Sequence, residues 1–102
     1  MKVPATVSIG KHYFEVMLVE EIRSISANQD VEQAWRMGAV DIVNCQIEIK
    51  KTMIESMRQE VLLHEVIHGL SDIFAIGLSE EQVTGLAAGL YAFVLDNPEV
   101  FL

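Results

Sequence analysis

The chain has 102 residues, 51% of them hydrophobic and 22% charged, with a formal charge of −8. That balance excludes a disordered chain and fits one folded domain, residues 1–102, near the lower end of comfortable domain size. The acidic excess repels phosphate backbones and argues against nucleic-acid binding.

The longest apolar run, Leu86 to Leu95, is about half the roughly 20 residues needed to span a bilayer, so no membrane segment is expected. A single cysteine, Cys45, excludes an internal disulfide framework and fits a reducing compartment. Met1 to Thr6 has no apolar core of signal-peptide length. The expected location is cytoplasmic.

Thr6–Ile9 and His12–Val19 alternate around Gly10-Lys11 and predict a hairpin with a tight turn. His12 reads as an exposed hairpin histidine. Glu20 to Gly38 is the least readable stretch; Asp30 caps a short helix there, with Gln33 three residues on and Gly38 as its stop, or else the stretch is loop and strand. Trp35 reads as a packing anchor. Ala39–Val43 and Cys45–Ile49 predict a second hairpin turning near Asn44-Cys45, with Gln46, Glu48 and Lys50 on the polar side of a half-buried strand. The first 50 residues are therefore mainly β.

A long helix follows over residues 52–76. Thr52 or Lys51 marks its start, Glu55 completes a capping box, and Gly77 stops it in the left-handed conformation. It is apolar over much of its circumference, so it should be the buried central element. Ser79 caps a second helix, residues 79–96, with Gln82 at the capping-box position and Asn97-Pro98 as its end. Val83, Leu86, Ala87, Leu90 and Val94 make its inward stripe. Gly85 and Gly89, with Ala88 and Ala92, predict close helix packing. The expected fold is α+β: a small antiparallel sheet of two hairpins on a central helix and a second, C-terminal helix.

The central helix carries Leu62-Leu63-His64-Glu65-Val66-Ile67-His68-Gly69. Residues four apart share a helix face, so His64 and His68 can grip one ion, and Glu65 sits at the edge of that face. His-Glu-x-x-His on a helix is the zinc metallopeptidase pattern, with two imidazole ligands and a glutamate general base. A catalytic zinc takes three protein ligands and a water. Among Asp72, Glu80 and Glu81, Asp72 is better placed to accept a hydrogen bond from an imidazole N–H. Glu80 shares the inward stripe of the second helix and is the preferred ligand; Glu81 is the reserve. The bland reading of both glutamates is charge at a helix N-terminus.

These motifs, with Glu80-Glu81-Gln82-Val83-Thr84-Gly85-Leu86-Ala87-Ala88-Gly89-Leu90, resemble the ImmA/IrrE-type zinc metallopeptidases, and more closely their minimal phage and prophage members. The likeness covers roughly residues 38–98. It implies a zincin-like fold, Zn²⁺ held by His64, His68 and Glu80, and Glu65 as the catalytic residue. The second motif departs from the family pattern: Val83, Thr84, Leu86 and Ala87 stand where the family has Ala, Asn, Phe and Ala.

The implied activity is zinc-dependent peptide-bond hydrolysis, with Glu65 moving the proton of a zinc-bound water. The expected partner is a peptide or protein substrate, such as a phage or host regulatory protein, laid along the strand at Cys45 to Ile49 by β-augmentation. No oxyanion stabiliser stands out; Tyr91 lies eleven residues past Glu80, about 16 Å along the helix. The alternatives are a zinc-binding interaction or regulatory module of phage origin that cuts nothing, and a core helix whose two histidines are satisfied without metal.

Overall fold

A computed structural model describes residues 2–23 and 37–101. The expectations at Asp30, Gln33 and Trp35 lie outside the described residues. The elements are β1 (Thr6–Ile9), β2 (His12–Val19), β3 (Gly38–Asp41), β4 (Gln46–Lys50), α1 (Glu55–Ile73) and α2 (Glu80–Asp96), followed by a short 3-10 helix at Pro98–Phe101. None of the described helices is long and apolar enough to cross a membrane.

Both hairpins form, but the sheet they make is mixed. Its order is β1-β2-β4-β3, and β2 runs parallel to β4. The hairpins join through their second strands, where Val16 stands opposite Ile47 and Leu18 opposite Ile49. That match continues one apolar face across the sheet. β4 is thereby buried on both faces, as parallel strands usually are. Glu48, expected on the polar side of a half-buried strand, is buried instead. Ile22 is buried too, and the Arg23 amide donates to Glu48 Oε1 at 3.2 Å. The chain leaving β2 therefore reaches that face.

Local chemistry explains the turns. Gly10 and Lys11 both have positive φ, the two-residue turn whose twist suits a hairpin. In the second hairpin Asp41 Oδ1 accepts from the Asn44 amide and Oδ2 from its side chain, at 3.1 and 2.8 Å. These bonds hold the Asp41 carboxyl below its ordinary pKa. They also pull the chain into a turn two residues before the expected strand end.

α1 packs its inner side on the sheet. Phe14, Ile47, Ile49 and Leu62 lie in that core, with Val66 and Ile73 against it. A Cβ on Gly69 would stand 3.1 Å from Ile9 Cδ1, so the glycine permits the close approach of helix and hairpin. A second, smaller core joins α1 to α2 through Ile67, Val83 and Ala87. Tyr91 of α2 adds a polar tie, donating its hydroxyl proton to Gln59 Oε1 at 2.8 Å.

The ends of α1 differ from expectation. The helix starts at Glu55, and its N-cap is Ile54 with no side-chain cap. Glu55 does not close a capping box, because its carboxylate accepts from the Val3 amide at 2.9 Å. Burial of Met53 sets the entry to the helix. At the other end the left-handed residue that stops the helix is Ala75, two before Gly77. The Ile76 amide reaches Ser71 O at 2.9 Å and the Ala75 amide reaches Asp72 O at 3.3 Å, the paired bonds of a Schellman ending. Gly77 also has positive φ, within the loop.

α2 begins as expected. Ser79 Oγ accepts from the Gln82 amide, and Gln82 Oε1 accepts from the Ser79 amide, a complete capping box. Its inward stripe is narrower than expected: Val83 and Ala87 are buried, whereas Leu86 and Leu90 are substantially exposed. Among the described residues the expected close packing at Gly85 and Gly89 is absent. A Cβ on either would meet nothing within 4 Å, because α2 touches α1 on its opposite side.

Candidate metal centre

His64 and His68 stand one turn apart on the side of α1 that faces α2. The loop between the helices fixes how α2 begins. Ser71, buried, accepts the Leu78 amide on its hydroxyl at 2.8 Å, and the Ser79 capping box then starts α2 one residue before Glu80. Glu80 so enters the space before the two imidazoles. Its Oε1 lies 2.9 Å from His64 Nε2 and its Oε2 lies 2.7 Å from His68 Nε2. The two rings meet edge to face, 4.9 Å between centroids.

One donor atom from each of the three residues lies within 4.8 Å of the others, a group that can hold a metal ion. The donor chemistry fits a divalent cation. Two imidazoles and a carboxylate are the ligand set of several open zinc sites, and the carboxylate offsets part of the ion's charge. The set does not name the metal, since imidazole also suits other transition metals. Burial holds the His64 imidazole below its ordinary pKa, Glu80 opposes that shift, and the neighbouring His68 adds to it. A neutral imidazole is the form that ligates metal.

Glu80 bridges both histidines, and Glu81 is not part of the group. Asp72 does not serve an imidazole among the described residues; it is exposed, and its backbone carbonyl accepts the Ala75 amide. Cys45 and His12 also lie outside the group. Tyr91 is engaged with Gln59, away from Glu80.

Glu65 is 7% exposed, on the side of α1 turned toward β3. Gly38 lies directly over it: a Cβ there would stand 3.2 Å from Glu65 Cγ and 2.6 Å from Val61 Cγ1. Of the two expectations for this stretch, one made Gly38 a helix stop and the other put it in loop and strand. It is the first residue of β3, and its missing side chain leaves room for Glu65. A glycine followed by an alternating β-branched run was the available signal.

The strand chosen for β-augmentation is corrected. β4 has β2 on one side and β3 on the other, so it offers no edge. Among the described residues the free edge beside the centre is that of β3. The Lys50 amide donates to Met37 O, which makes Met37 and Lys50 a hydrogen-bonded pair. In an antiparallel ladder the alternate residues then aim their N–H and C=O outward, here Gly38 and Val40.

No family model matches the chain, and no curated protein or solved structure matches it at a significant level.

Proposed function

We propose that the chain is a zinc-dependent peptidase whose metal ligands are His64, His68 and Glu80. The observation that carries this reading is the meeting of Glu80 with both Nε2 atoms across two helices. A carboxylate placed there by its own capping box completes the pattern that His-Glu-x-x-His begins. The resemblance to the minimal phage members of the ImmA/IrrE-type metallopeptidases supports the same ligand set.

When bound, the ion supplies Lewis acidity, polarising a carbonyl and acidifying water. The chain's own residues do the rest. Glu65, buried next to the ligand face, takes a proton from the attacking water and returns it to the leaving amine. The outward N–H and C=O groups of Gly38 and Val40 pair with an extended substrate and hold it beside α1. Substrates are peptides or exposed protein segments able to add a strand.

The test joins metal analysis to cleavage. Purified protein should carry one zinc, and His64→Ala, His68→Ala and Glu80→Ala should each lose it. Glu65→Gln should keep zinc while cleavage of an unstructured protein falls by at least about a hundredfold, the scale of a lost general base. A protein that binds zinc stoichiometrically and cuts nothing, with or without Glu65, would instead be a zinc-binding interaction module. A protein with no zinc at all would have only a hydrogen-bonded histidine pair.

A further inference from the structure

The carboxylate that meets both imidazoles belongs to the first residue of α2. A helix begins with amides that have no partner inside the helix, and its end turns fray most readily. A ligand placed there is held only as firmly as that turn is held. The histidines need no such support, because His64 and His68 lie well inside α1, which runs from Glu55 to Ile73.

What holds the start of α2 comes from α1 itself. Ser71 is buried and stands three residues beyond His68, on a neighbouring line of the same helix. Its hydroxyl oxygen accepts the Leu78 amide at 2.8 Å. The Leu78 side chain packs against the small core of Ile67, Val83 and Ala87. Leu78 is thus fixed twice, by its amide and by its side chain, and two residues later the chain reaches Glu80. A second tie between the helices lies elsewhere. Tyr91 donates to Gln59 Oε1 at 2.8 Å, about 16 Å along α2 from Glu80.

We propose that Ser71 is a positioning residue of the metal centre: its bond to the Leu78 amide keeps the first turn of α2 formed and Glu80 in front of the two imidazoles. The inference rests on the ligand set His64, His68 and Glu80 and adds the group that aims the third ligand. With the bond lost, α2 stays docked through Val83, Ala87 and Tyr91, but Glu80 is in place for only part of the time. A site that is complete for a fraction of the time has its dissociation constant divided by that fraction. Leaving one buried amide without its acceptor shifts such a balance by about tenfold.

The test measures zinc affinity by competition with a chromophoric chelator, and compares two variants that each remove one tie between the helices. Ser71→Ala should weaken zinc binding about tenfold. Tyr91→Phe loses the bond to Gln59; it should lower the urea midpoint and leave zinc affinity unchanged. Hydrogen exchange on the wild-type chain keeps the test decisive if Ser71→Ala folds poorly. Where the Ser71–Leu78 bond and Glu80 open together, zinc at a hundredfold excess over its dissociation constant should slow exchange of the Leu78 amide about a hundredfold. Three results would each overturn the role of Ser71 alone: Ser71→Ala binding zinc as tightly as wild type, both variants weakening zinc equally, or a Leu78 amide whose exchange ignores zinc. A wild-type chain that binds no zinc overturns the ligand set itself, and this inference with it.

Discussion

Ala75 holds a left-handed φ of 54° at the end of α1, where most helices place glycine. Its Cβ makes that conformation costly, by roughly 1 kcal/mol. Ala75→Gly should therefore stabilise the protein by up to about 1 kcal/mol, offset in part by the extra freedom of glycine in the unfolded chain. Thermal unfolding would show this as a rise of a few degrees. The sequence pointed to Gly77 because glycine is the usual signal; nothing local announces that an alanine takes the strained position. His64 gives the second residue-scale expectation. Burial depresses its pKa below 6.5, so below that pH the unfolded chain holds a proton that the folded chain refuses. The unfolded state then binds more protons, and stability falls as pH drops below 6.5. Urea titrations of zinc-free protein at pH 7 and pH 5.5 should show this loss, and His64→Gln should reduce it.

At the level of elements, Gly38 links the sheet to the buried glutamate. Gly38→Ala places a methyl 2.6 Å from Val61 Cγ1 and 3.2 Å from Glu65 Cγ. Overpacking of this kind costs about 1–3 kcal/mol. Adding Val61→Ala removes the tighter clash and should recover part of the stability. The double variant retains the Glu65 contact, so its zinc content should be normal while any cleavage stays reduced; urea midpoints, zinc analysis and turnover together check this. What was legible here followed local chemistry. The hairpin turns, the Ser79 capping box and the helical spacing of His64 and His68 all depend on residues within one or two turns of each other. The parallel pairing of β2 with β4 was not legible, because alternation shows which face is apolar and not which strand lies alongside. Burial of Glu48 was hidden for the same reason: the cover comes from Ile22 and Arg23, 26 and 25 positions earlier. The packing at Gly85 and Gly89 was misread because small residues permit close approach without specifying it; among the described residues nothing comes within 4 Å of a Cβ placed there.

For the whole molecule, the proposed ligands tie α1 to α2, which also share a small core and the Tyr91–Gln59 hydrogen bond. An ion that binds the folded state alone stabilises it by mass action, about 2.7 kcal/mol at a hundredfold excess over its dissociation constant. Zinc should therefore raise the melting temperature by roughly 10–20 °C for a domain of this size. A chelator should reverse the rise, and Glu80→Ala should shrink it; calorimetry with and without zinc measures both.

The parallel strand pair has a kinetic consequence. Five residues of β2 each meet one 31 positions later, from Glu15 with Gln46 to Val19 with Lys50, so the centre of the sheet cannot nucleate locally. Hairpins and helices assemble within microseconds, whereas this closure pays its loop entropy before any reward arrives. The zipping of β2 onto β4 is thus the natural bottleneck of folding, and the apolar faces of both hairpins stay open to misassociation until it is done.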